Sequence, residues 1–271
     1  MDMNEKIKRI NELYHKSQVQ ELSAEEKEEQ KRLRLEYVAS IRGSLRSQLE
    51  NIDIKEADGS ITNLGEQKRK KEEAKKGTLR TKKALIRKNN LEKRDSLSDD
   101  EILKKSMEIC EKIFATKEYI DAKNIFLYKA YNSEVVTDLI YERAIKDNKK
   151  VSYPKCELVN GEPGMDFYYV SDQNQLKEGY KGILEPDIYN YDLEKVSDFN
   201  GLVIVPGVAF DKKCNRIGYG KGFYDKFLNG KSDLKTIGLA FEKQMVDTID
   251  VEFEDINIRK VVTELGEYVN E

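Results

Sequence analysis

Short apolar runs alternate with helical patterns from about Asn89 to the carboxy end of the chain. Six runs have the length and composition of buried strands: NIFLYKA, KVSYP, MDFYYV, LVIVP, TIGLAF and IRKVVTE. Strands separated by helices predict an α/β fold, in which a three-layer, mostly parallel sheet carries helices on both faces. In such sheets, ligands bind outside the carboxyl ends of the strands.

Two serines indicate where helices of this part begin. Ser98 is followed three residues later by Glu101, which predicts a capped helix that carries Ile102, Ile109 and Ile113. Ser133 predicts the cap of a second helix, which runs through Val136, Leu139 and Ile140.

The amino-terminal part has a different pattern. Two apolar stripes recur at helical spacing: Met3, Ile7, Ile10 and Tyr14, then Leu33, Tyr37, Ile41, Leu45 and Leu49. Ser23 and Glu26 form a capping-box signal before the second stripe. Residues 1–50 are therefore predicted to form a small all-α helical hairpin.

Residues 51–78 are predicted to be a flexible tail and basic linker, which leaves 79–271 as the main domain. Asp58-Gly59-Ser60 is a turn signal, and apolar residues around it are sparse. The following run, KRKKEEAKKGTLRTKKALIRK, is dense in lysine and arginine, a pattern typical of a solvated helix face.

Composition narrows the class of protein. The net charge is only -3, which does not favour a nucleic-acid partner, and no stretch approaches the roughly 20 apolar residues of a membrane span. The opening MDMNEKIKRI lacks the apolar middle of a secretory signal, so a cytoplasmic location is predicted. Cys110, Cys156 and Cys214 are widely spaced and predicted to be reduced thiols. The only histidine, His15, is near the amino terminus and far along the sequence from every glycine-rich signal, which argues against a histidine base in the main domain.

The most informative stretch is residues 202–228, LVIVPGVAFDKKCNRIGYGKGFYDKFL. Gly218, Gly220 and Gly222 lie between an apolar strand and an expected helix start, where backbone amides can approach a phosphate closely. Arg216 and Lys221 flank the glycines and can neutralise phosphate charge. The alternative is a tight turn without a ligand.

Asp225 follows this loop by a few residues. Magnesium is commonly held by one or two carboxylates together with phosphate oxygens, so an aspartate beside a phosphate loop suits it.

The same stretch closely resembles the signature of the 5-formyltetrahydrofolate cyclo-ligase family. Further blocks of that family appear in order over residues 80–264: Lys83 and Arg87 followed by KRDSLS, then FLYKAYNSEVVT, SYPKC and Gly182-Ile183-Leu184-Glu185-Pro186. The resemblance implies ATP- and magnesium-dependent closure of 5-formyltetrahydrofolate to 5,10-methenyltetrahydrofolate. ADP and phosphate are released, and the formyl oxygen is phosphorylated on the way.

The resemblance also implies roles for individual residues. Arg216 and Lys221 would act in catalysis, Glu134 and Tyr224 would bind the folate, and Asp225 and Asp255 would hold magnesium. ATP would be bound by Lys83, Arg87, Arg216, Gly218, Tyr219, Gly220, Lys221, Gly222, Phe223 and Tyr224. The alternatives are a helix-dipole contact for Glu134, plain surface charge for Lys83 and Arg87, and packing for Tyr224.

One departure from the family pattern lies near the carboxy end. The family usually has His-Asp, three residues and Asp, whereas this chain has Glu254, Asp255 and Arg259. A catalytically weakened folate- or nucleotide-binding protein of the same fold is therefore an alternative. A third hypothesis, a sugar-phosphate isomerase or transferase, has only the fold class in its favour.

Residues 1 to about 66 resemble a second family, the small YnzC-like bacterial proteins, which brings no established chemistry. Arg42 and Arg46 suggest partner or nucleic-acid binding, but charges balance over residues 1–75, with 16 basic and 16 acidic residues. A solvated helix face is favoured, and the partner of the hairpin is left open.

Overall fold

The computed structural model describes residues 3–55, 61–159 and 161–270. The predicted Asp58-Gly59-Ser60 turn lies outside them. The chain divides into two compact units, residues 1–78 and 79–271. None of the described helices is long and apolar enough to cross a membrane.

The first unit is a helical hairpin followed by two short strands and the start of a long helix. Its elements are α1 (Met3–Val19), α2 (Ala24–Glu50), β1 (Asp53–Lys55), β2 (Ile61–Asn63) and α3 (Leu64–Asp95), which contains the division between the units. Residues 64–78, interpreted from sequence as part of a linker, are helical. The capping box before α2 is present, because Ser23 and Glu26 each bind the other's backbone amide.

The hairpin is antiparallel, and its core is small. Leu13, Leu22 and Leu33 are buried together, with Ile10 packed against them. Ion pairs of Lys6 with Glu36 and of Lys16 with Glu26 join α1 to α2. Residue numbers rise along α1 as they fall along α2, so the two helices are antiparallel. Because α1 is the shorter helix, the predicted stripe of α2 is not covered along its whole length, and Ile41, Leu45 and Leu49 are exposed.

The second unit contains the main sheet. Its helices are the end of α3, α4 (Asp99–Ala115), α5 (Lys117–Asp121), α6 (Asp138–Lys146) and α7 (Phe223–Leu228). Its strands are β3 (Asn124–Phe126), β4 (Lys150–Val159), β5 (Glu162–Tyr169), β6 (Leu176–Glu178), β7 (Leu184–Pro186), β8 (Leu202–Val205), β9 (Ala209–Asp211), β10 (Arg216–Ile217), β11 (Lys235–Leu239), β12 (Met245–Val246), β13 (Lys260–Val262) and β14 (Glu267–Val269).

Seven strands form the central sheet in the order β14-β13-β11-β8-β3-β4-β5. The four inner pairings are parallel, and the two outermost ones, β14 with β13 and β4 with β5, are antiparallel. A mostly parallel sheet was predicted and is confirmed. Two smaller groups, β10-β9-β12 and β6-β7, were not predicted.

Helices cover both faces of the sheet. Side chains alternate along a strand, so Ile125 and Ile204 point to the face covered by α4 and α6. Phe126 and Val203 point to the other face, where Phe227 of α7 belongs to the same buried cluster. The inner strands β3 and β8 are therefore buried on both sides, which explains why such strands appear in the sequence as uninterrupted apolar runs.

The predicted helix starts have different outcomes. Ser98 and Glu101 form the expected capping box of α4. Ser133 does not cap a helix: α6 begins at Asp138, and Thr137 makes no side-chain cap. The hydroxyl of Ser133 instead accepts a hydrogen bond from the buried Arg94 and donates one to Asp95.

Candidate active site

A cavity of about 680 Å³ opens at the carboxyl ends of β3 and β8. This is the edge of the sheet where the parallel topology predicts ligand binding, and the volume is within the usual range for small-molecule sites. All the residues assigned to the site from the sequence line it: Lys83, Arg87, Glu134, Arg216, Gly218, Tyr219, Gly220, Lys221, Gly222, Phe223, Tyr224, Asp225 and Asp255. Their individual roles remain predictions.

A glycine turn forms one wall of the cavity. It leaves the short strand β10 and reaches α7, which begins at Phe223 as predicted. Gly220 and Gly222 have φ angles of +89° and +71°, a region that side chains other than glycine rarely adopt. A Cβ atom on Gly222 would have no atom of the described chain within 4 Å, so the turn presents bare backbone to open space there.

Cations surround the glycine turn. Arg87 Nε donates to the carbonyl of Gly218 at 2.8 Å, and Arg216 Nη2 donates to Asp225 Oδ1 at 2.9 Å. Burial lowers the pKa of Arg87. Lys221 is exposed on the turn. This wall therefore combines accessible backbone with positive side chains, which is the composition that a polyphosphate requires.

Lys83 approaches the same wall from α3. Its Nζ lies 2.5 Å from Asp255 Oδ2 and 3.1 Å from Glu252 Oε2. Burial acts to lower the pKa of Lys83, but its hydrogen bonds to these two carboxylates outweigh this effect and raise the pKa. Lys83 is therefore a positively charged residue of the cavity that the protein itself partly neutralises.

Glu134 lies in the loop that follows β3. It is 6% exposed, and its Oε2 accepts a hydrogen bond from the Tyr131 amide at 3.0 Å. Burial raises the pKa of Glu134, while Arg94, the Tyr131 amide and Tyr219 act to lower it. Glu134 precedes α6 by several residues, so a first-turn helix-dipole role does not account for it.

Two polar atoms of the site are buried without a hydrogen-bond partner in the part of the chain that the structure describes. They are the hydroxyl of Tyr224 and Nε of Arg216. Burial raises the pKa of Tyr224 far above that of an ordinary tyrosine, so this hydroxyl remains protonated. Buried polar groups are nearly always satisfied, so unsatisfied ones beside a cavity are candidates for ligand contacts.

Several residues of the site carried no role in the sequence interpretation. Glu185 lines the cavity, is 4% exposed and has a pKa raised by burial, with Lys155 Nζ 3.7 Å away. Tyr180 packs its ring edge-on against Phe223 at 5.6 Å. Arg94 does not line the cavity but donates a hydrogen bond to Tyr219, which does. Glu185 and Arg94 belong to the quoted blocks GILEP and KRDSLS, but a block alone does not indicate which side chains are buried.

The carboxylates of the cavity fit a metal ion that takes most of its ligands from phosphate oxygens and water. Among the described residues, no group of three or more histidine, cysteine, aspartate or glutamate side chains is arranged to hold a metal. Asp225 and Asp255 each line the cavity and each bind a cationic side chain, Arg216 and Lys83 respectively. Two carboxylates are enough for magnesium when phosphate oxygens and water complete its octahedron.

Glu254 and Arg259, the two departures from the family pattern, do not line the cavity. The guanidinium of Arg259 donates instead to the carbonyl of Ser232 at 2.9 Å, and both residues are exposed. All three cysteines are free, as predicted; Cys156 lines the cavity, and burial raises its pKa to about 12.

Comparison with known proteins gives two matches on different parts of the chain. Residues 5–64 match a family described as bacterial protein of unknown function (DUF896). A UPF0291 protein of Thermoanaerobacter is 54% identical over 65 residues, which cover 24% of this chain and 84% of the relative. This is the YnzC-like group, so the resemblance of the hairpin is confirmed.

The larger match covers the cavity. A probable 5-formyltetrahydrofolate cyclo-ligase of Caenorhabditis elegans is 29% identical over 178 residues, which cover 62% of this chain and 85% of the relative. The NMR structure of the 5,10-methenyltetrahydrofolate synthetase of Aquifex aeolicus superposes with a TM-score of 0.60 at 29% identity, covering 70% of this chain and 93% of that one. The family model matches residues 79–264, most of the chain, so the chain belongs to the 5-formyltetrahydrofolate cyclo-ligase family.

Proposed function

We propose that residues 79–271 form a catalytic domain that uses ATP and magnesium to convert 5-formyltetrahydrofolate into 5,10-methenyltetrahydrofolate, ADP and phosphate. The observation that carries the proposal is the composition of the two cavity walls. One set of lining residues, the phosphate wall, is a bare glycine turn among cations. A second set, the folate wall, is the buried Glu134 and Tyr224 with its unsatisfied hydroxyl. Family membership indicates which folate derivative such a cavity takes.

The chemistry has two steps. The formyl group on the 5-nitrogen is an amide, and its carbon is a poor electrophile because the nitrogen lone pair is delocalised into it. The formyl oxygen attacks the γ-phosphorus of ATP, the bond to the bridging oxygen breaks, and ADP leaves. The 10-nitrogen then attacks the activated carbon and loses its proton, while the carbon-oxygen bond breaks to release inorganic phosphate.

The phosphate wall supplies positioning and charge rather than a nucleophile. Arg216 and Lys221 neutralise charge on the transferred phosphoryl group, and Lys83 and Arg87 bind the remaining phosphates. The amides from Gly218 to Gly222 complete the cradle. Asp225 and Asp255 would hold a magnesium ion, which neutralises phosphate charge when bound.

The folate wall orients the second substrate. An ionised Glu134 accepts hydrogen bonds from N–H groups of the folate, either on the pterin or at the attacking 10-nitrogen. Tyr224 offers its hydroxyl to an acceptor of the same molecule. Both groups are buried, so their hydrogen bonds compete little with water and are stronger than exposed ones.

The division of the rest of the chain follows from this proposal. We assign residues 1–50 to a helical hairpin of the YnzC-like type and 51–78 to the connection between the hairpin and the catalytic domain. The hairpin supplies no residue to the chemistry proposed here.

The test is to incubate the full chain with 5-formyltetrahydrofolate, ATP and magnesium and to follow the near-ultraviolet absorbance of the methenyl product. Product should form only when all three are present and should stop when magnesium is chelated. A protein that binds the folate or the nucleotide but forms no product would instead be the weakened binding protein. The outer positions of Glu254 and Arg259 do not favour that alternative.

A further inference from the structure

Arg94 is almost completely buried, at 1% exposure, and does not line the cavity. It lies near the end of α3, and its guanidinium reaches two parts of the site. Nε donates to Ser133 at 3.0 Å, and Nη2 donates to the hydroxyl of Tyr219 in the glycine turn at 2.8 Å. Nη1 is buried without a hydrogen bond and lies 3.9 Å from Glu134 Oε1.

Tyr219 contacts both charged groups of this network. Its hydroxyl interacts with Glu134 as well as with Arg94, and burial together with the Glu134 charge raises the pKa of Tyr219 to about 12. Glu134 is thus faced by one cation, Arg94, and by the neutral hydroxyl of Tyr219. Tyr128 and Tyr224 feel its charge too, and burial raises the pKa of each well above the tyrosine value.

A buried arginine and a buried glutamate are each unfavourable alone, because each has lost its hydration. Here a single guanidinium spans the loop after β3 and the glycine turn before α7. We propose that Arg94 is a positioning residue that holds the carboxylate of Glu134 by an ion pair and the hydroxyl of Tyr219 by a hydrogen bond, and so fixes both relative to the cavity. This inference rests on the proposed function, since it assigns Arg94 a part in folate recognition through Glu134.

The inference makes a prediction about pH. Glu134 must be ionised to accept hydrogen bonds from folate N–H groups, so its protonation sets the acid limb of kcat/KM for 5-formyltetrahydrofolate. Burial raises the pKa of Glu134, and Arg94 and Tyr219 both act to lower it. Removing either interaction raises the pKa further, so the acid limb moves to higher pH. A purely structural role of Arg94 would lower kcat/KM by the same factor at every pH.

The experiment compares Arg94→Gln, Tyr219→Phe and the control Lys88→Gln, at saturating ATP. Lys88 is an exposed cation on the same helix and does not line the cavity. Arg94→Gln should move the acid limb up by about one pH unit or more and lower kcat/KM at neutral pH at least about tenfold. Tyr219→Phe should move it in the same direction by less, and Lys88→Gln should leave it in place.

A double-mutant cycle supplies the second readout. On a Glu134→Gln background, Arg94→Gln should cost less than about threefold in kcat/KM, because the group through which it acts is already gone. The inference is overturned if the acid limb of kcat/KM moves in neither Arg94→Gln nor Tyr219→Phe. It is also overturned if the double variant loses kcat/KM by the full product of the two single losses. If circular dichroism shows that Arg94→Gln does not fold, the shift of the acid limb in Tyr219→Phe is the deciding measurement, because Tyr219 lies at an exposed position.

The outcome is separable from the proposed function. A wild-type protein that forms no methenyl product refutes the function whatever the variants do. An active wild type whose variants lose rate without a change in the pH profile refutes only the role of Arg94. Direct binding of 5-formyltetrahydrofolate, measured by calorimetry across the same pH range, should show the same shift of the acid limb without any catalytic turnover.

Discussion

Gly222 and Gly230 form a matched pair that isolates the phosphate-binding role of the glycine turn. They lie just before and just after α7, with φ angles of +71° and +76°, and a Cβ atom on either would meet no atom of the described chain within 4 Å. Gly222 lines the cavity and Gly230 does not. Alanine at either position is therefore strained to a similar degree, but only the methyl group at position 222 is added to a residue that lines the cavity.

The expected losses of stability and of ATP affinity follow from the geometry of the turn. Alanine in the left-handed region costs about 1–2 kcal/mol, so both variants should lose about 2–4 °C in Tm per kcal/mol of that cost. A phosphate oxygen bound to the turn needs N···O distances of about 3 Å, whereas a methyl carbon holds other atoms at about 3.5–4 Å. The methyl group of Gly222→Ala therefore displaces the phosphate, and the affinity for ATP should fall at least about tenfold, or about 1.4 kcal/mol.

The assay is calorimetric titration of both variants with a non-hydrolysable ATP analogue, alongside thermal unfolding by circular dichroism. Gly230→Ala should bind the analogue as the wild type does, with a Tm close to that of Gly222→Ala. Equal affinities of the two variants for the analogue would show that the open side of the turn is not where the phosphates bind, and the assignment of this wall would be wrong.

Three further predictions concern single side chains. Lys221→Ala should raise KM for ATP about tenfold and change the free energy of unfolding by no more than about 0.5 kcal/mol, since the residue is exposed. The control is Lys226→Ala, on α7 outside the cavity, and matching kinetics in the two variants would remove Lys221 from the site. Burial raises the pKa of Glu185 in the folded state, so the stability that its proton contributes is complete below the unfolded pKa and is lost as pH rises through the folded pKa. Denaturant titrations should therefore show the wild type losing stability relative to Glu185→Gln over that pH range. Stability curves of the two proteins that stay parallel across this range would contradict the prediction. Arg259→Asp, which restores the usual family residue, should leave the magnesium dependence of turnover unchanged because Arg259 lies outside the cavity, and tighter apparent magnesium binding would count against that placement.

The centre of the main sheet could be predicted from the sequence because its inner strands are buried on both faces. LVIVP and TIGLAF are uninterrupted apolar runs, and β8 and β11 are neighbouring parallel strands in the structure. The groups β10-β9-β12 and β6-β7 could not be predicted in the same way, since all five of their strands have only two or three residues. Strands of that length carry no periodicity, and their pairing depends on turns whose geometry is set by tertiary contacts.

The lining of the site could be predicted from ordered motif blocks, but its interactions could not. Nothing in the spacing of Lys83 and Asp255 indicates that they meet at 2.5 Å, because 172 residues separate them along the chain. The burial of Arg94 was missed for a related reason. It follows Lys93 in a charged run typical of a helix surface, and only the packing of the helix shows that Lys93 is exposed and Arg94 is not.

Exposed and buried residues of the cavity should respond differently to mutation. Removing an exposed cation such as Lys221 from the phosphate wall changes stability by no more than about 0.5 kcal/mol, so loss of activity there separates from loss of folding. Breaking a buried pair such as Arg94 and Glu134 leaves an uncompensated charge and typically costs about 3–5 kcal/mol, a large part of the 5–15 kcal/mol that stabilises a typical domain. Folate recognition and domain stability therefore depend on the same buried groups, whereas loss of the exposed Lys221 should weaken phosphate binding without loss of stability.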